Sequence, residues 1–344
     1  MRIGILGAGQ LGLLTAQAAE ALGITVAAYA PSLSSREWSY RPHCLAAWDD
    51  WSALSRFAQS CDVLSVETEN IPLKTLEYIS TRFDLRPNLT AIATAQDRYH
   101  EKVFFNAQAI PCADWVLVNN SRDLKQAAEQ LGFPFRIKTR LQGYDGKGQF
   151  FIRDEQSLNA MSLSGGLSYI AEKNIQFDRE ISVIGARNPQ GDVVIYPIFE
   201  NTHRDGILHY SQLKRQDPMR ALAEQYLRQV LETWNYVGVL TIEFFHCGHV
   251  LYANEMAPRV HNSGHASLDA CKTSQFENHV RAISGLDLAS ADPWDALRHC
   301  TMHNILGEWP SLITGLEKPG VRVYDYGKTP APGRKLGHVT VCEY

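Results

Sequence analysis

Short apolar runs separated by polar turns recur along the first 70 residues of the chain. Residues 3–6, 25–29 and 61–66 are apolar and β-prone, and a helical pattern covers residues 13–22. Strands that alternate with helices are typical of a parallel sheet covered by helices. We therefore expect an N-terminal Rossmann-like parallel-sheet domain at residues 1–95.

The pattern changes after residue 96. A helix predicted at residues 97–109 carries Arg98 and Lys102 on one face. Further strand-like runs follow at residues 133–138, 150–153, 168–175, 181–185, 237–245 and 250–256. The fold class predicted is α/β and α+β, with a small domain at residues 96–175 and a C-terminal mixed-sheet domain at residues 176–344.

Composition excludes several classes of protein. The chain has 344 residues, is 45% hydrophobic and carries a net charge of −4, which argues against a broad nucleic-acid surface. No apolar run approaches membrane-spanning length, and Met1 and Arg2 lead directly into a strand, so we expect no signal peptide. The seven cysteines contain no CxxC pair, so reduced thiols in the cytoplasm are expected rather than a disulfide framework or a zinc site.

Gly7, Gly9 and Gly12 follow the first strand with the spacing GxGxxG and lead into a helix. This is the fingerprint of dinucleotide-binding domains, in which the helix N-terminus holds a pyrophosphate. Such domains place an acid after the second strand, whereas here Tyr29 is followed by Ala-Pro-Ser. The pattern therefore disfavours NAD, although the helix N-terminus can still hold another phosphate.

Glu67, Glu69 and Asn70 come directly after the apolar run 61–66. Ligands of open parallel sheets bind beyond the carboxyl ends of the strands. These residues are therefore candidates for contacting a polar small molecule. The alternative is a loop acid that caps the helix after Pro72.

A glycine-rich segment, QGYDGKGQ at residues 142–149, lies between two apolar runs, the first of which ends in Lys138. A P-loop would lead into a helix and place Lys and Ser or Thr after its last glycine. A glycine hairpin can instead fold over a triphosphate and donate backbone N–H groups to it. Lys138 would add a cation, and the alternative is a surface hairpin with a mobile tip.

Glu172 and Glu180 flank the predicted crossing from the small domain to the C-terminal domain. Acids in these places suit the adenine and ribose of a nucleotide bound in the cleft. Two glutamates eight residues apart are a weak pattern by themselves.

Glu243 and Glu255 stand in two consecutive apolar runs. If residues 247–249 form a three-residue hairpin loop, Glu243 pairs near Ala253 and Glu255 lies diagonally on the same face. Two buried carboxylates repel each other unless a cation lies between them, and oxygen ligands are those that Mg²⁺ prefers. We expect a magnesium site here; the alternative is a pair of strand acids that face solvent.

Anion-binding groups follow this hairpin. Arg259, His261 and Asn262 offer hydrogen-bond donors beside the expected metal, and zinc is disfavoured because the neighbouring site is oxygen-liganded. A basic cluster near the C-terminus comprises Lys328, Arg334 and Lys335. It is either a solvated charged turn or a phosphate clamp.

Taken together, these motifs resemble the ATP-grasp superfamily and, within it, the N5-carboxyaminoimidazole ribonucleotide synthetases of purine biosynthesis. The resemblance covers nearly the whole chain and rests on GAGQLG at 7–12, GYDGKG at 143–148, NEMAPRVHNSGH at 254–265 and GRKLGH at 333–338. It implies an ATP-grasp fold and an enzyme that joins bicarbonate to the exocyclic amine of 5-aminoimidazole ribonucleotide while ATP is split to ADP and phosphate. It also implies ATP and Mg²⁺ as cofactors, a cytoplasmic homodimer, and no nucleic-acid or membrane partner.

The resemblance further implies roles for individual residues. The ATP-binding residues would be Arg98, Lys138, Gly143, Tyr144, Asp145, Gly146, Lys147, Gly148, Gln149, Glu172, Lys173, Asn174, Ile175, Glu180, His203, Asn254 and Glu255. The magnesium ligands would be Glu243 and Glu255. The residues around aminoimidazole ribonucleotide would be Tyr144, Asp145, Lys147, Arg259, His261, Asn262, Lys328, Arg334 and Lys335. The catalytic residues would be Lys138, Asp145, Arg259, His261 and Lys328.

By the same resemblance, bicarbonate attacks the γ-phosphate of ATP to give carboxyphosphate, which collapses to CO₂ and phosphate. The amine then attacks CO₂ and loses its proton either to Asp145 or to the released phosphate. Two other functions stay open. One is another ATP-grasp ligase with an acyl-phosphate intermediate, against which residues 259–265 and the Arg334–Lys335 turn argue. The other is a regulatory nucleotide-binding protein without turnover, against which Lys138, Glu243 and Glu255 argue.

Overall fold

The computed structural model describes residues 1–143, 148–163, 168–310 and 318–344. The strands are β1 (Arg2–Leu6), β2 (Thr25–Ala30), β3 (His43–Leu45), β4 (Val63–Val66), β5 (Trp115–Val118), β6 (Phe135–Thr139), β7 (Gln149–Ile152), β8 (Tyr169–Lys173), β9 (Arg179–Arg187), β10 (Val193–Ile195), β11 (Ile198–Arg204), β12 (Ile207–Lys214), β13 (Gly238–Cys247), β14 (Val250–Ala257), β15 (His299–Leu306), β16 (Val321–Asp325) and β17 (Lys335–Glu343). The helices are α1 (Gln10–Ala21), α2 (Trp51–Gln59), α3 (Leu73–Ser80), α4 (Leu89–Gln96), α5 (Arg98–Ala107), α6 (Ser121–Leu131), α7 (Glu155–Ala160), α8 (Arg220–Thr233), α9 (Ser267–Ala270) and α10 (Gln275–Ile283). Among these residues, no helix is long and apolar enough to cross a membrane.

The N-terminal sheet is parallel, with the order β3-β2-β1-β4. Its central strand β1 is buried because helices cover both faces: Ile3 and Ile5 pack with α1, while Leu6 packs on the opposite side with α2. The predicted Rossmann-like sheet is confirmed. Because β1 and β4 are adjacent and parallel, their carboxyl ends place the glycine loop beside residues 67–70.

The second sheet is antiparallel, with the order β5-β8-β6-β7, and α6 packs on it through Leu124 and Ala127. Strands β6 and β7 form the predicted strand–loop–strand unit, in which Lys138 lies opposite Gln149. Residues 144–147, the centre of the glycine loop, lie outside the described residues. The sheet thus fixes the two ends of the loop against one another.

The third sheet has nine strands among the described residues, in the order β14-β13-β9-β11-β12-β15-β17-β16, with β10 beside β9. Neighbouring strands pair antiparallel, and the mixed character expected for this domain is limited to a parallel bridge between Cys112 and Ala253 at the β14 edge. Helix α8 covers one face of β9 and α10 covers the other, because consecutive side chains of a strand point to opposite faces. Both faces of the sheet are therefore buried around β9 and β13.

The cysteines differ from expectation in one respect. Cys300 of β15 and Cys342 of β17 lie directly opposite one another and form a disulfide, whereas the other five are free. The expectation of seven reduced thiols is therefore wrong for this pair. Its partners are 42 residues apart, and only the register of β15 on β17 brings them together.

Candidate active site

The hairpin of β13 and β14 brings Glu243 and Glu255 directly opposite one another. Its turn has two residues, since Cys247 pairs with Val250, and not the three that were expected. A regular hairpin with this turn would pair Glu243 with Asn254 and send Glu255 to the other face. A β-bulge at Asn254 shifts the register by one residue, so the two carboxylates share a face after all, directly paired rather than diagonal.

Burial and neighbouring charges shift the pKa values of the two glutamates in opposite directions. Burial, with Glu255 and Glu180 nearby, raises the pKa of Glu243 against the opposing charge of His203. Burial also disfavours the charged form of Glu255, but Arg98, whose Nη1 lies 3.1 Å from Oε2, and Lys138 lower its pKa below the usual range. Nearby cations therefore stabilise the ionised form of Glu255, whereas the like charges of Glu255 and Glu180 disfavour the ionised form of Glu243.

The donor set fits a hard divalent cation. The two glutamates supply carboxylate oxygens, and in the described part of the chain no third His, Cys, Asp or Glu joins them to complete a protein-only site. Oxygen atoms of phosphate and water are the ligands that Mg²⁺ combines with one or two carboxylates in phosphoryl-transfer sites. The arrangement therefore suits Mg²⁺ bound together with a polyphosphate.

Lys138 is buried beside this pair. Its Nζ donates to Oε2 of Glu172 at 2.8 Å and to Oδ1 of Asn254 at 3.3 Å. Burial lowers the pKa of Lys138, while the charge of Glu172 opposes that shift. Burial likewise acts against the ionised form of Glu172, but the charges of Lys102 and Lys138 outweigh it and lower the pKa of Glu172 to about 2. Glu172 is therefore ionised and holds Lys138 in place.

Glu180 and His203 form a second charged pair on the adjacent strands β9 and β11. Nδ1 of His203 lies 3.0 Å from Oε2 of Glu180. Burial alone would lower the pKa of His203, but its interaction with the Glu180 carboxylate and the charge of Glu243 raise it to about 9. His203 is therefore protonated at neutral pH and contributes a cation near Glu243.

The remaining nucleotide candidates lie at the ends of the second sheet. The carbonyl of Gly143 accepts from Arg98 at 3.5 Å, and Gly148 has a positive φ of 72° where the loop rejoins β7. Lys173 is exposed at the end of β8, and Asn174 accepts from Arg136 at 3.3 Å. Ile175 is half-buried in the crossing to β9. Tyr144, Asp145, Gly146 and Lys147 lie outside the described residues.

Arg259 follows β14 and is held by an acid from the N-terminal sheet. Its Nε and Nη2 donate to the two carboxylate oxygens of Glu69 at 2.6 and 3.0 Å. This bidentate geometry fixes the guanidinium plane. Glu69 thus orients Arg259, and because it also lines the cavity, its expected contact with a small molecule stays a prediction.

His261 is neutral, so its imidazole can offer an N–H donor but adds no positive charge. Burial and the nearby charge of Arg259 lower its pKa to about 3. Nδ1 accepts from the backbone N–H of Ser263 at 3.4 Å, so the imidazole offers an N–H only at Nε2. Asn262 is buried beside it and exchanges two amide hydrogen bonds with Asn304, at 2.7 and 3.1 Å.

The basic C-terminal turn packs against the N-terminal loops. Nζ of Lys328 contacts Oε1 of Gln10, which lies at the start of α1. Arg334 donates to the carbonyls of Thr329 and Ser34, at 3.1 and 3.2 Å. The turn is therefore built into the site and is not simply a solvated charged loop.

One cavity of about 900 Å³ connects these groups. The candidates that line it are Arg98, Gly143, Glu243, Glu255, Arg259, His261, Asn262, Lys328, Arg334 and Lys335. The remaining described candidates do not line it: Lys138, Gly148, Gln149, Glu172, Lys173, Asn174, Ile175, Glu180, His203 and Asn254. Lys138 and Asn254 adjoin it through Glu255, and His203 and Glu180 adjoin it through Glu243. Metal candidates and the basic turn thus face the same space.

Glu67 occupies the position that the glycine fingerprint reserves for a phosphate. Its carboxylate accepts from the backbone N–H groups of Gly9 and Gly12 at 2.6 and 2.8 Å. A Cβ atom on Gly7, Gly9 or Gly12 would lie 2.2–2.8 Å from this side chain, so the glycines make room for it. Glu67 therefore caps α1 rather than the helix after Pro72, and binding of a phosphate at this helix end stays a prediction.

Comparisons with known proteins agree with this architecture. Three family models match: the ribonucleotide synthetase preATP-grasp domain at residues 1–96, the ATP-grasp domain at 103–276 and the phosphoribosylaminoimidazole carboxylase C-terminal domain at 300–343. A crystal structure of N5-carboxyaminoimidazole ribonucleotide synthetase from Thermus thermophilus superposes with a TM-score of 0.92 at 38% identity, covering 99% of this chain and 93% of that one. The fold and the carboxylate–cation cluster thus define an ATP-grasp protein.

Curated relatives narrow the family. The N5-carboxyaminoimidazole ribonucleotide synthase of Pseudomonas aeruginosa is 37% identical over 342 residues, which are 99% of this chain and 94% of the relative. An Aspergillus clavatus synthase solved with ADP and 5-aminoimidazole ribonucleotide superposes with a TM-score of 0.87 at 27% identity, covering 99% of this chain and 93% of that one. The chain belongs to the N5-carboxyaminoimidazole ribonucleotide synthase family.

Proposed function

We propose that this chain carboxylates the exocyclic amine of 5-aminoimidazole ribonucleotide with bicarbonate, at the expense of ATP, in purine biosynthesis. The observation that carries the proposal is the single cavity, in which the Glu243–Glu255 pair and Arg98 face the basic turn of Lys328 and Arg334. A metal-bound polyphosphate and a phosphorylated substrate would each find opposite charge there. The complex of the fungal relative with ADP and aminoimidazole ribonucleotide supports the same pairing of ligands.

The nucleotide would lie between the second and third sheets. Arg98 and Lys138 would neutralise its phosphates, and the glycine-rich segment 143–149 would donate backbone N–H groups to them. The backbone of residues 172–175 would border the adenine, and Glu180, held by His203, would accept from the ribose hydroxyls. Because Glu172 is already bound to Lys138, we assign its carboxylate to holding that lysine.

Glu243 and Glu255 would hold Mg²⁺, with Asn254 alongside. A bound Mg²⁺ would neutralise charge that develops on the transferred phosphoryl group. The protein contributes the rest: Lys138 and Arg98 stay oriented by Glu172 and Glu255, so little reorganisation is needed when phosphoryl charge shifts.

The phosphorylated imidazole would lie on the other side of the cavity. Arg259, Lys328, Arg334 and Lys335 would supply cations to it, and Tyr144 and Lys147 of the glycine-rich segment would be further contacts. Neutral His261 and Asn262 would donate or accept hydrogen bonds without adding charge. Glu69 keeps the plane of Arg259 fixed toward the substrate.

The reaction follows from these charges. A bicarbonate oxygen attacks the γ-phosphorus, and the bond to the bridging oxygen of ADP breaks. The carboxyphosphate formed splits to CO₂ and phosphate in the enclosed site. The amine nitrogen then bonds to the carbon of CO₂ and releases one proton, to Asp145 or to the phosphate.

Formation of ADP tests the proposal when the substrates are omitted one at a time. We expect ADP only when ATP, Mg²⁺, bicarbonate and aminoimidazole ribonucleotide are all present. ADP formed with formate and another amine would instead identify a different ATP-grasp ligase. Binding of ATP without any turnover would indicate a regulatory protein.

Asp145→Asn separates the two proton acceptors. If Asp145 is the base, product formation falls by about 10²–10⁴-fold while the dissociation constant for magnesium–ATP changes little. Unchanged product formation would assign the proton to phosphate.

The domain division at residues 95 and 175, the homodimer and the cytoplasmic location are proposals as well, and light scattering of the purified chain tests the dimer.

A further inference from the structure

Strand β14, which carries Glu255, is an edge strand, and its outer side meets helix α5 and, at Ala253, an isolated parallel bridge to Cys112. Strand β13 satisfies one side of its backbone, so the N–H and C=O groups on the other side need different partners. The bulge at Asn254 adds a residue without a partner on β13 at the point where the metal ligand Glu255 follows. The register of Glu255 therefore depends on what holds this outer edge.

Two consecutive residues of α5 hold it. Nζ of Lys102 donates to the carbonyl of Asn254 at 2.7 Å and to that of Ala253 at 3.2 Å. Oε1 of Glu101 accepts from the backbone N–H of Met256 at 2.6 Å. These contacts bracket Glu255 on both sides along the chain. Both α5 side chains are only 1% exposed, so water does not replace them.

The nearest contacts of Lys102 are with the bulge and not with an acid. Its distance to Oε1 of Glu172 is 3.9 Å, too long for a hydrogen bond, whereas Lys138 binds Oε2 of the same carboxylate at 2.8 Å. Lys102 therefore acts on Glu172 through its charge alone, whereas its hydrogen bonds go to the two carbonyls of the bulge. Burying an ammonium group is costly unless such contacts compensate it.

The held bulge orients both of its functional side chains. Asn254 reaches Lys138 at 3.3 Å, and Glu255 reaches Arg98 at 3.1 Å. If the bulge relaxed to a regular pair, Glu255 would turn to the opposite face of the sheet. We propose that Glu101 and Lys102 are positioning residues that lock this bulge and so place Glu255 for Mg²⁺; the metal part of this inference rests on the proposed function.

Hydrogen exchange of the ligand-free protein tests the lock without any substrate. Lys102→Met keeps the length of the side chain but removes its donors, so amide exchange in residues 250–257 should accelerate at least about tenfold. Arg86→Met is the matched control, because Arg86 also donates to a buried main-chain carbonyl, that of Ile283 at 3.0 Å, on a different part of the fold. That control should leave exchange in residues 250–257 unchanged.

Magnesium dependence tests the consequence. The free Mg²⁺ concentration for half-maximal ADP formation should rise about 10–100-fold in Lys102→Met, as found when outer partners of metal ligands are lost, and Lys102→Arg should recover part of it. Glu101→Gln keeps an acceptor for Met256 and should resemble the unaltered protein, whereas Glu101→Leu should resemble Lys102→Met. If Lys102→Met does not fold, the comparison of Glu101→Gln with Glu101→Leu tests the proposal instead.

The proposal is overturned if exchange in residues 250–257 stays unchanged in Lys102→Met and Glu101→Leu. It is also overturned if both variants lose only thermal stability, to the same extent as Arg86→Met, with the magnesium dependence intact. Accelerated exchange in a protein that never uses ATP would support the lock and refute the proposed function instead.

Discussion

Two regions of this molecule have the features of a phosphate site, but their hydrogen-bonding and charged groups are engaged differently. At the N-terminus of α1, a glycine loop presents backbone N–H groups, and the carboxylate of Glu67 takes those of Gly9 and Gly12. Beside the β13–β14 hairpin, Arg98 and two glutamates border a cavity of about 900 Å³. The GxGxxG motif therefore predicts a turn that presents backbone N–H groups, but it does not show which group accepts from them. Here the acceptor is Glu67, which lies 55–58 residues away in sequence.

The two regions also differ in electrostatic balance. The helix end at α1 has its exposed N–H dipoles met by one carboxylate, which is the favourable sign at that end. At the hairpin, Glu243 faces Glu255 across directly paired positions, and the pKa of Glu243 is raised because of burial and like charge. A ligand that brings positive charge would therefore relieve the repulsion between the two glutamates of the second region.

The largest expected effect is on turnover, through Glu255→Gln. Removing one of two carboxylate ligands should lower ADP formation by at least about 100-fold at ordinary magnesium, because metal neutralisation of the phosphoryl oxygens contributes several kcal/mol. The rate is measured at saturating ATP, bicarbonate and aminoimidazole ribonucleotide.

Glu277→Gln is the control for this change. Glu277 pairs with Arg281 along α10 at 2.8 Å, away from the hairpin, so its variant should keep normal turnover. Near-normal turnover of Glu255→Gln would contradict the assignment of the metal site to the β13–β14 hairpin. The hairpin and the start of α1 would then no longer differ in function.

The next effect is on stability, through Glu67→Ala. Two N–H groups at the start of α1 would lose their acceptor, which should lower the free energy of unfolding by about 1–3 kcal/mol. Urea denaturation measures it, and Glu67→Gln, which keeps one acceptor oxygen, should lose less. Equal stability of Glu67→Ala and the unaltered protein would mean that this helix end does not depend on its internal carboxylate.

Local sequence patterns were sufficient for the parallel sheet, for strands β6 and β7, and for the separate acids Glu243 and Glu255. They did not reveal how the two acids meet, because a bulge at Asn254 has no marker in the strand itself. They also missed the role of Glu67, whose hydrogen-bond donors, the N–H groups of Gly9 and Gly12, lie at the start of α1. Such contacts depend on the register and order of strands, which local periodicity does not specify.

Glu101 and Lys102 illustrate the same limit. The helical pattern placed Lys102 on the face of Arg98, but the reason for a buried cation there lies on β14, about 150 residues later in the chain. Charged residues that are fully buried are rare unless paired. A charge on the apolar face of a predicted helix is therefore the signal that could have drawn attention to them.

The last effect is absent at neutral pH and grows as pH falls, and it concerns the contact between the first and third sheets. His279 accepts from the backbone N–H of Val239 at 3.1 Å and lies 3.0 Å from the hydroxyl of Ser65, so it joins the third sheet to the first. Burial lowers its pKa to about 4. As pH falls from about 6.5 to 4, His279 becomes protonated in the unfolded chain but stays neutral in the folded protein. The free energy of unfolding therefore falls by about 1.4 kcal/mol per pH unit.

His279→Gln should remove that contribution. Urea denaturation at pH 7, 6 and 5 should show a shallower loss of stability in the variant than in the unaltered protein. Parallel pH profiles of the two proteins would show that other buried groups account for acid sensitivity and that this histidine is not the pH-dependent link.

Titration calorimetry tests the central comparison most directly, with magnesium–ATP and NAD each added to the unaltered protein, Lys138→Met and Glu67→Ala. The unaltered protein should bind magnesium–ATP and give no heat with NAD. Lys138→Met should weaken ATP binding at least about tenfold, since a charge-assisted hydrogen bond contributes about 1.5–3 kcal/mol, while Glu67→Ala should leave it unchanged. Micromolar NAD binding, or ATP affinity that is lost in Glu67→Ala and kept in Lys138→Met, would place the nucleotide at α1 and contradict the account.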